Sequence, residues 1–161
     1  MVTVHDVAAY ILQQRAPMSA MKLQKLVYYS QAWSLVWDDA PLFPERIQAW
    51  ANGPVVYELF DAHRGRYTVQ HPWERGNPET LTDDQRETID EVLRAYGDFS
   101  ARQLSVLSHS ERPWIEARRG LAPLDRGAQV IDPTVMIDYY GSLADDDENA
   151  EPVQGSVVLE D

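Results

Sequence analysis

The residues able to do acid, base, nucleophilic or metal chemistry are few and scattered. The four histidines, His5, His63, His71 and His109, form no H-E-x-x-H and no i, i+4 pair. That spacing predicts no zinc ligand set and no metal site. The absence of cysteine excludes a disulfide framework, a thiolate metal site and a cysteine nucleophile. There is no G-x-S-x-G elbow, no G-x-x-x-x-G-K-[ST] loop and no G-x-G-x-x-G, and the eight glycines are spread through turns. No nucleotide site and no cofactor are therefore expected. His109-Ser110-Glu111 has the residue types of a base, a nucleophile and an orienting acid. Three successive residues at a helix end face different ways, however, and their structural reading is helix capping. Glu45 and Glu58 have the chemistry for an acid and base pair, but nothing in their spacing singles them out. A small enzyme of unknown substrate is thus an alternative, and the leading expectation is a protein without catalysis.

The aromatic residues carry more information. Tyr28, Tyr29, Trp33, Trp37, Trp50, Tyr57 and Phe60 lie within 33 positions, and such side chains fill cores or anchor protein interfaces. Most are expected in the core, with the remainder on a binding surface.

The elements that position them read as helices with one extended piece. Val4, Val7, Ala8, Ile11 and Leu12 after Thr3 give the stripe of a first helix, stopped by Pro17. From Ser19 to about Val36 the chain is apolar on most sides, as a central buried helix is. Ile47 to Trp50 is expected to be a short strand, followed by an Asn52-Gly53-Pro54 turn. A third helix is predicted over Val55 to Ala62, with the proline in its first turn, and His63 to Pro78 reads as a polar loop. Capping boxes at Thr82 and Ser100 open two further helices. Another begins near Pro113, and Asp132-Pro133 starts a last one ending at Gly141. The expectation is a compact, mainly α single domain of about six helices with a small strand element.

Composition bounds the partners. The chain has 161 residues, 44% of them apolar and 25% charged, with a formal charge of −12; it is long enough to bury a core. Residues 1–143 hold 19 acids and 14 bases, while 144–161 hold seven acids and no base. The domain is therefore assigned to 1–143, and 144–161 reads as a disordered acidic tail with an apolar end at Val157, Val158 and Leu159. The acidic balance, with no basic cluster larger than Arg118-Arg119 and nearby Arg112 and Arg126, makes a nucleic acid an unexpected partner. No apolar stretch is long enough for a membrane span and no signal-peptide pattern is present. A cytoplasmic location without a membrane partner is the expectation. Short helices rich in aromatics are also compatible with a homodimer.

Three segments carry a resemblance. Met21-Lys22-Leu23-Gln24-Lys25-Leu26-Val27-Tyr28-Tyr29-Ser30-Gln31-Ala32-Trp33, then Pro41-Leu42-Phe43, then Gln48-Ala49-Trp50-Ala51-Asn52-Gly53-Pro54-Val55-Val56 resemble the Panacea domain of SocA-like antitoxins. Leu104 to Trp114 is similar to that family's Leu-Ser-x-x-Thr-His-x-x-x-Pro-Trp segment, with Ser108 in the threonine's place. At Ala51-Asn52 the family more often has a charged or aromatic pair. The resemblance implies a bacterial or prophage-encoded antitoxin that binds a cognate protein toxin encoded by an adjacent gene. It also implies an alternative, an adaptor that delivers the toxin to a ClpXP-type protease and so has a ClpX-type chaperone as partner. For either role an acidic chain can steer toward a basic partner, while an apolar patch holds it. The toxin-binding candidates are Trp50, Tyr57 and Phe60 near the Gly53-Pro54 turn. Lys22, Lys25 and Tyr29 are expected beside them, on the outer side of the second helix.

Overall fold

A computed structural model describes residues 1–147, and its organisation follows from one long central helix. In chain order the elements are α1 (Val4–Arg15), β1 (Met18–Ser19), α2 (Ala20–Trp37), β2 (Ile47–Trp50), β3 (Gly53–Val56), α3 (Tyr57–His63), β4 (Thr68–Val69), a 3-10 turn (Pro78–Thr80), α4 (Asp83–Tyr96), α5 (Ala101–His109), α6 (Arg112–Ala117) and α7 (Pro133–Asp147). The expected mainly α fold is observed, with seven α-helices and two two-stranded antiparallel sheets among the described residues.

Every residue of α2 from Leu23 to Leu35 is buried, because α1, α4, α5, α7 and β3 all pack around it. The helix begins where Ser19 caps it, its hydroxyl accepting from the Lys22 amide at 3.1 Å. The predicted capping boxes at Thr82 and Ser100 are both formed, and Thr3 makes a third with Asp6. In α4 the apolar stripe Ile89, Val92 and Leu93 is buried against this centre. Tyr28 and Trp33 are buried in the core, whereas Trp37 at the last turn is 47% exposed.

Three expectations are corrected. Val55 and Val56 belong to β3, and the third helix starts only at Tyr57. The local pattern suits a helix with proline in its first turn, but the backbone of Val56 is held extended from the side. The Val56 amide donates to Gln24 Oε1 at 2.9 Å, and Gln24 Nε2 donates to the Val56 carbonyl at 3.2 Å. A buried glutamine of α2 thus takes the place of a further strand on β3. The stretch from His63 to Pro78 is more than a loop. Thr68 and Val69 pair with Ser19 and Met18, the Trp73 side chain is buried, and the 3-10 turn closes the segment. Finally, α7 runs through Gly141 to Asp147, since Leu143 and Ala144 pack against the core beyond it. Residues 148–161, including the apolar end at 157–159, lie outside the described residues.

Candidate protein-docking face

The hairpin of β2 and β3 pairs Ile47 with Val56, Gln48 with Val55, Ala49 with Pro54 and Trp50 with Gly53. Gly53 sits at φ +120°, a region that side chains with a Cβ rarely enter. A Cβ there would also lie 2.6 Å from Lys25 Cε. Glycine is needed at this point for the conformation and for the close approach to α2.

The hairpin is strapped from below by α5 and α6. Ser105 Oγ donates to the Asn52 carbonyl at 2.8 Å, and Trp114 Nε1 donates to the Trp50 carbonyl at 2.9 Å. One guanidinium nitrogen of Arg118 donates to the Ala49 carbonyl at 3.1 Å. The other reaches the carbonyls of Ala122, Pro123 and Asp125 at 2.9, 3.3 and 2.9 Å. Arg118 is therefore a buried cation satisfied by main-chain oxygens, and it ties the loop after α6 to the hairpin. It also lies 5.3 Å from the Trp114 ring centroid, and that ring stacks on His109 at 4.2 Å.

Above these straps the aromatic residues meet. Trp50 packs edge-on against Phe60 of α3 at 4.9 Å, and Tyr57 approaches Phe60 at 6.1 Å. Arg64 lies over Phe60 at 5.1 Å and donates to Tyr57 Oη and Asp61 Oδ1, each at 3.0 Å. Tyr57 is 43% exposed, and Trp50 and Phe60 are half-buried. Beside them is a cleft of about 600 Å³ lined by Gln48, Trp50, Ala51, Asn52, Tyr57, Arg126, Gly127 and Ala128.

Three of the six sequence candidates, Trp50, Tyr57 and Phe60, are thus brought together. The placement of Lys25 and Tyr29 on an outer surface is corrected. Lys25 and Tyr29 are fully buried, because α2 is enclosed on every side, and only Lys22 keeps partial exposure. Its neighbours are Arg15 and Asp98, and burial holds its amine below the usual lysine value.

Beneath the hairpin these buried groups form a polar centre. Lys25 Nζ makes no hydrogen bond among the described residues, and burial pushes its pKa down to about 7. Ser108 Oγ, like Lys25, lies close under Gly53. Burial, with the Lys25 charge adding to it, holds His63 and His109 below the usual imidazole value. Gln24 Nε2 is 3.0 Å from His63 Nε2. The amide nitrogen can only donate, so the imidazole accepts there and carries its proton on Nδ1.

A second polar group lies between α2, α6 and α7. Glu111 Oε1 accepts from Tyr29 Oη and from Tyr140 Oη, each at 2.7 Å. Tyr140 has given its one proton to Glu111, so in the 2.9 Å contact of Tyr28 with Tyr140 it is Tyr28 that donates. Burial raises the Glu111 carboxyl to about 7, against the opposing effect of the two tyrosine hydroxyls. The folded protein therefore holds a proton between about pH 4.5 and 7 that the unfolded chain has released, and stability falls as pH rises through that window. Glu111→Gln keeps an oxygen for both tyrosines and removes the charge. It is expected to raise stability by up to about 3 kcal/mol at pH 8, with the gain vanishing near pH 4.5. Thermal melts of the two proteins across pH check this.

His109, Ser110 and Glu111 do not converge. His109 stacks on Trp114, Ser110 Oγ donates back to the Leu107 carbonyl at 2.7 Å, and Glu111 is turned into the tyrosines. Glu45 is likewise occupied, accepting from the Val4 amide at 3.0 Å. Sequence reasoning missed the strapping role of Arg118 and the pairing by Gln24. A glutamine inside a helix apolar on most sides was the available signal for the latter.

The arrangement is that of a helical domain presenting an aromatic face, with its reactive residue types engaged in holding the fold. Residues 23–115 match the family model described as Antitoxin SocA-like, Panacea domain, and the chain belongs to this family. It is 34% identical over 110 residues to the protein named Antitoxin SocA from Caulobacter vibrioides (strain NA1000 / CB15N). That match covers 61% of this chain and 58% of the relative, so the chain spans little more than half the length of the curated protein it matches. No solved structure matches significantly. No helix among the described residues is long and apolar enough to cross a membrane.

Proposed function

We propose that this chain is an antitoxin that neutralises a cognate protein toxin, the product of an adjacent gene, by binding it directly in the cytoplasm. The observation that carries the reading is the aromatic face of Trp50, Tyr57 and Phe60. Trp50 stands half-exposed on a hairpin that Ser105, Trp114 and Arg118 hold from below, and Tyr57 and Phe60 of α3 pack beside it. Large aromatics held in place at the rim of a cleft supply contact area with little ordering cost, as anchors of protein interfaces do. The net charge of −12 adds attraction toward a basic toxin.

The test is rescue of growth from the toxin together with a melting curve. Trp50→Ala and Tyr57→Ala are expected to weaken toxin binding by about tenfold or more each, as anchor truncations of ~2 kcal/mol do, while leaving a folded protein. Full rescue by both variants would reject this face. Tyr29→Ala serves as the contrast, because the buried Tyr29 reports folding and not contact.

A further inference from the structure

The cleft beside Trp50 has a charge character opposite to that of the chain. Among its lining residues Arg126 is charged and none is a carboxylate, although acids outnumber bases by 26 to 14 overall. Arg126 makes no ion pair among the described residues. The adjacent Asp125 makes no ion pair with it, its Oδ2 accepting instead from the Ala122 amide at 3.0 Å. Asp61 on α3 is engaged by Arg64. An exposed guanidinium that makes no ion pair among the described residues is a ready partner for a planar anion.

The same cleft has groups suited to an extended main chain. The Asn52 side-chain amide makes no hydrogen bond among the described residues, while the Asn52 main-chain carbonyl is already taken by Ser105. Gln48 Oε1 accepts from Trp50 Nε1 at 2.7 Å, which leaves the two hydrogens of its amide nitrogen available. Side-chain amides already bind main chain inside this protein. Gln24 does so at Val56, and Gln31 does so at Leu42 and Phe43. Trp50 and Tyr57 add aromatic surface to the lining of the same cleft.

From these features we infer that the cleft receives an extended segment of the partner protein, which sets a carboxylate against Arg126 and an aliphatic or aromatic side chain against Trp50 and Tyr57. This inference rests on the reading of the chain as a direct-binding antitoxin. Its consequence is a division of labour, with the overall negative charge acting on the approach of a basic toxin and the local positive charge selecting an acidic site on it.

The experiment uses the full chain and the product of the adjacent gene. Arg126→Glu is expected to weaken the complex by about tenfold or more, since truncating or reversing one partner of a charge pair acts on dissociation. The melting curve should be unmoved, because the side chain is exposed. A scan of Asp→Arg and Glu→Arg variants of the toxin should then contain one that binds Arg126→Glu about tenfold more tightly than it binds the original chain. Unchanged binding of Arg126→Glu overturns the cleft assignment and leaves direct binding standing. Weakening that no toxin variant compensates overturns the carboxylate. If the original chain forms no complex with that product, the direct-binding reading fails, and this inference fails with it.

Discussion

Gly53→Ala is expected to lose about 3–5 kcal/mol of stability, roughly a fifth or more of the ~5–15 kcal/mol typical of a domain. Two independent costs add. The residue sits at φ +120°, which only glycine adopts without strain. Its new Cβ would stand 2.6 Å from Lys25 Cε and 3.2 Å from Ser108 Oγ, so the buried Lys25 side chain, Ser108 or the hairpin must shift. Because Gly53 pairs with Trp50 across the hairpin, the movement reaches the docking face, and rescue from the toxin should fail together with the fold. The two costs can be separated. Lys25→Ala removes the clashing atoms but leaves the backbone strain, so Gly53→Ala should be less harmful in the Lys25→Ala background than in the original chain. Denaturant melts of the four proteins measure this. Equal cost in both backgrounds would show that the lysine contact does not limit the hairpin.

Lys25→Met has the opposite expected sign. The ammonium is fully buried and has no hydrogen-bond partner among the described residues. Its surroundings are Gly53, Ser108 and two imidazoles, His63 and His109, with no carboxylate to compensate the charge. Burial lowers its pKa from 10.5 to about 7. Between those values the unfolded chain binds a proton that the folded one does not, so this group's penalty shrinks as pH rises from 7 to 10.5 and is full below 7. Methionine fills a similar volume without charge. The gain in stability should be of order 3–5 kcal/mol at pH 6 and small near pH 10.5. A gain independent of pH would mean that the amine titrates alike in the folded and unfolded states, with no shift from burial. A loss at pH 6 would mean that it has a partner there.

The parts of this fold governed by local chemistry were legible in the sequence. Thr82 and Ser100 announce their helices through side chains that reach only three residues along the chain. Likewise Ile47 to Trp50 reads as a strand and is one. Where long-range partners decide, local pattern misleads. Val55 and Val56 resemble the start of a helix until Gln24, 32 positions away from Val56, pairs with the backbone. Lys25 is of a type usually placed on a wet helix face, and it is the packing of helices on all sides of α2 that buries it together with Tyr29. The candidate site shows the same division. Trp50, Tyr57 and Phe60 were found because aromatic density near a Gly-Pro turn is visible in one dimension. The role of Arg118 was not, since its acceptors are carbonyls that come together only when the loop folds back.

The central claim is that this chain neutralises a neighbouring toxin by holding it. The most direct measurement is to induce the adjacent gene alone and together with this chain, and to follow both growth and co-purification. The account predicts growth arrest by the neighbour alone, restored growth on co-expression, and a stable complex that Trp50→Ala weakens. Restored growth without a complex, with the toxin instead disappearing in a protease-dependent manner, would contradict it in favour of delivery to a protease.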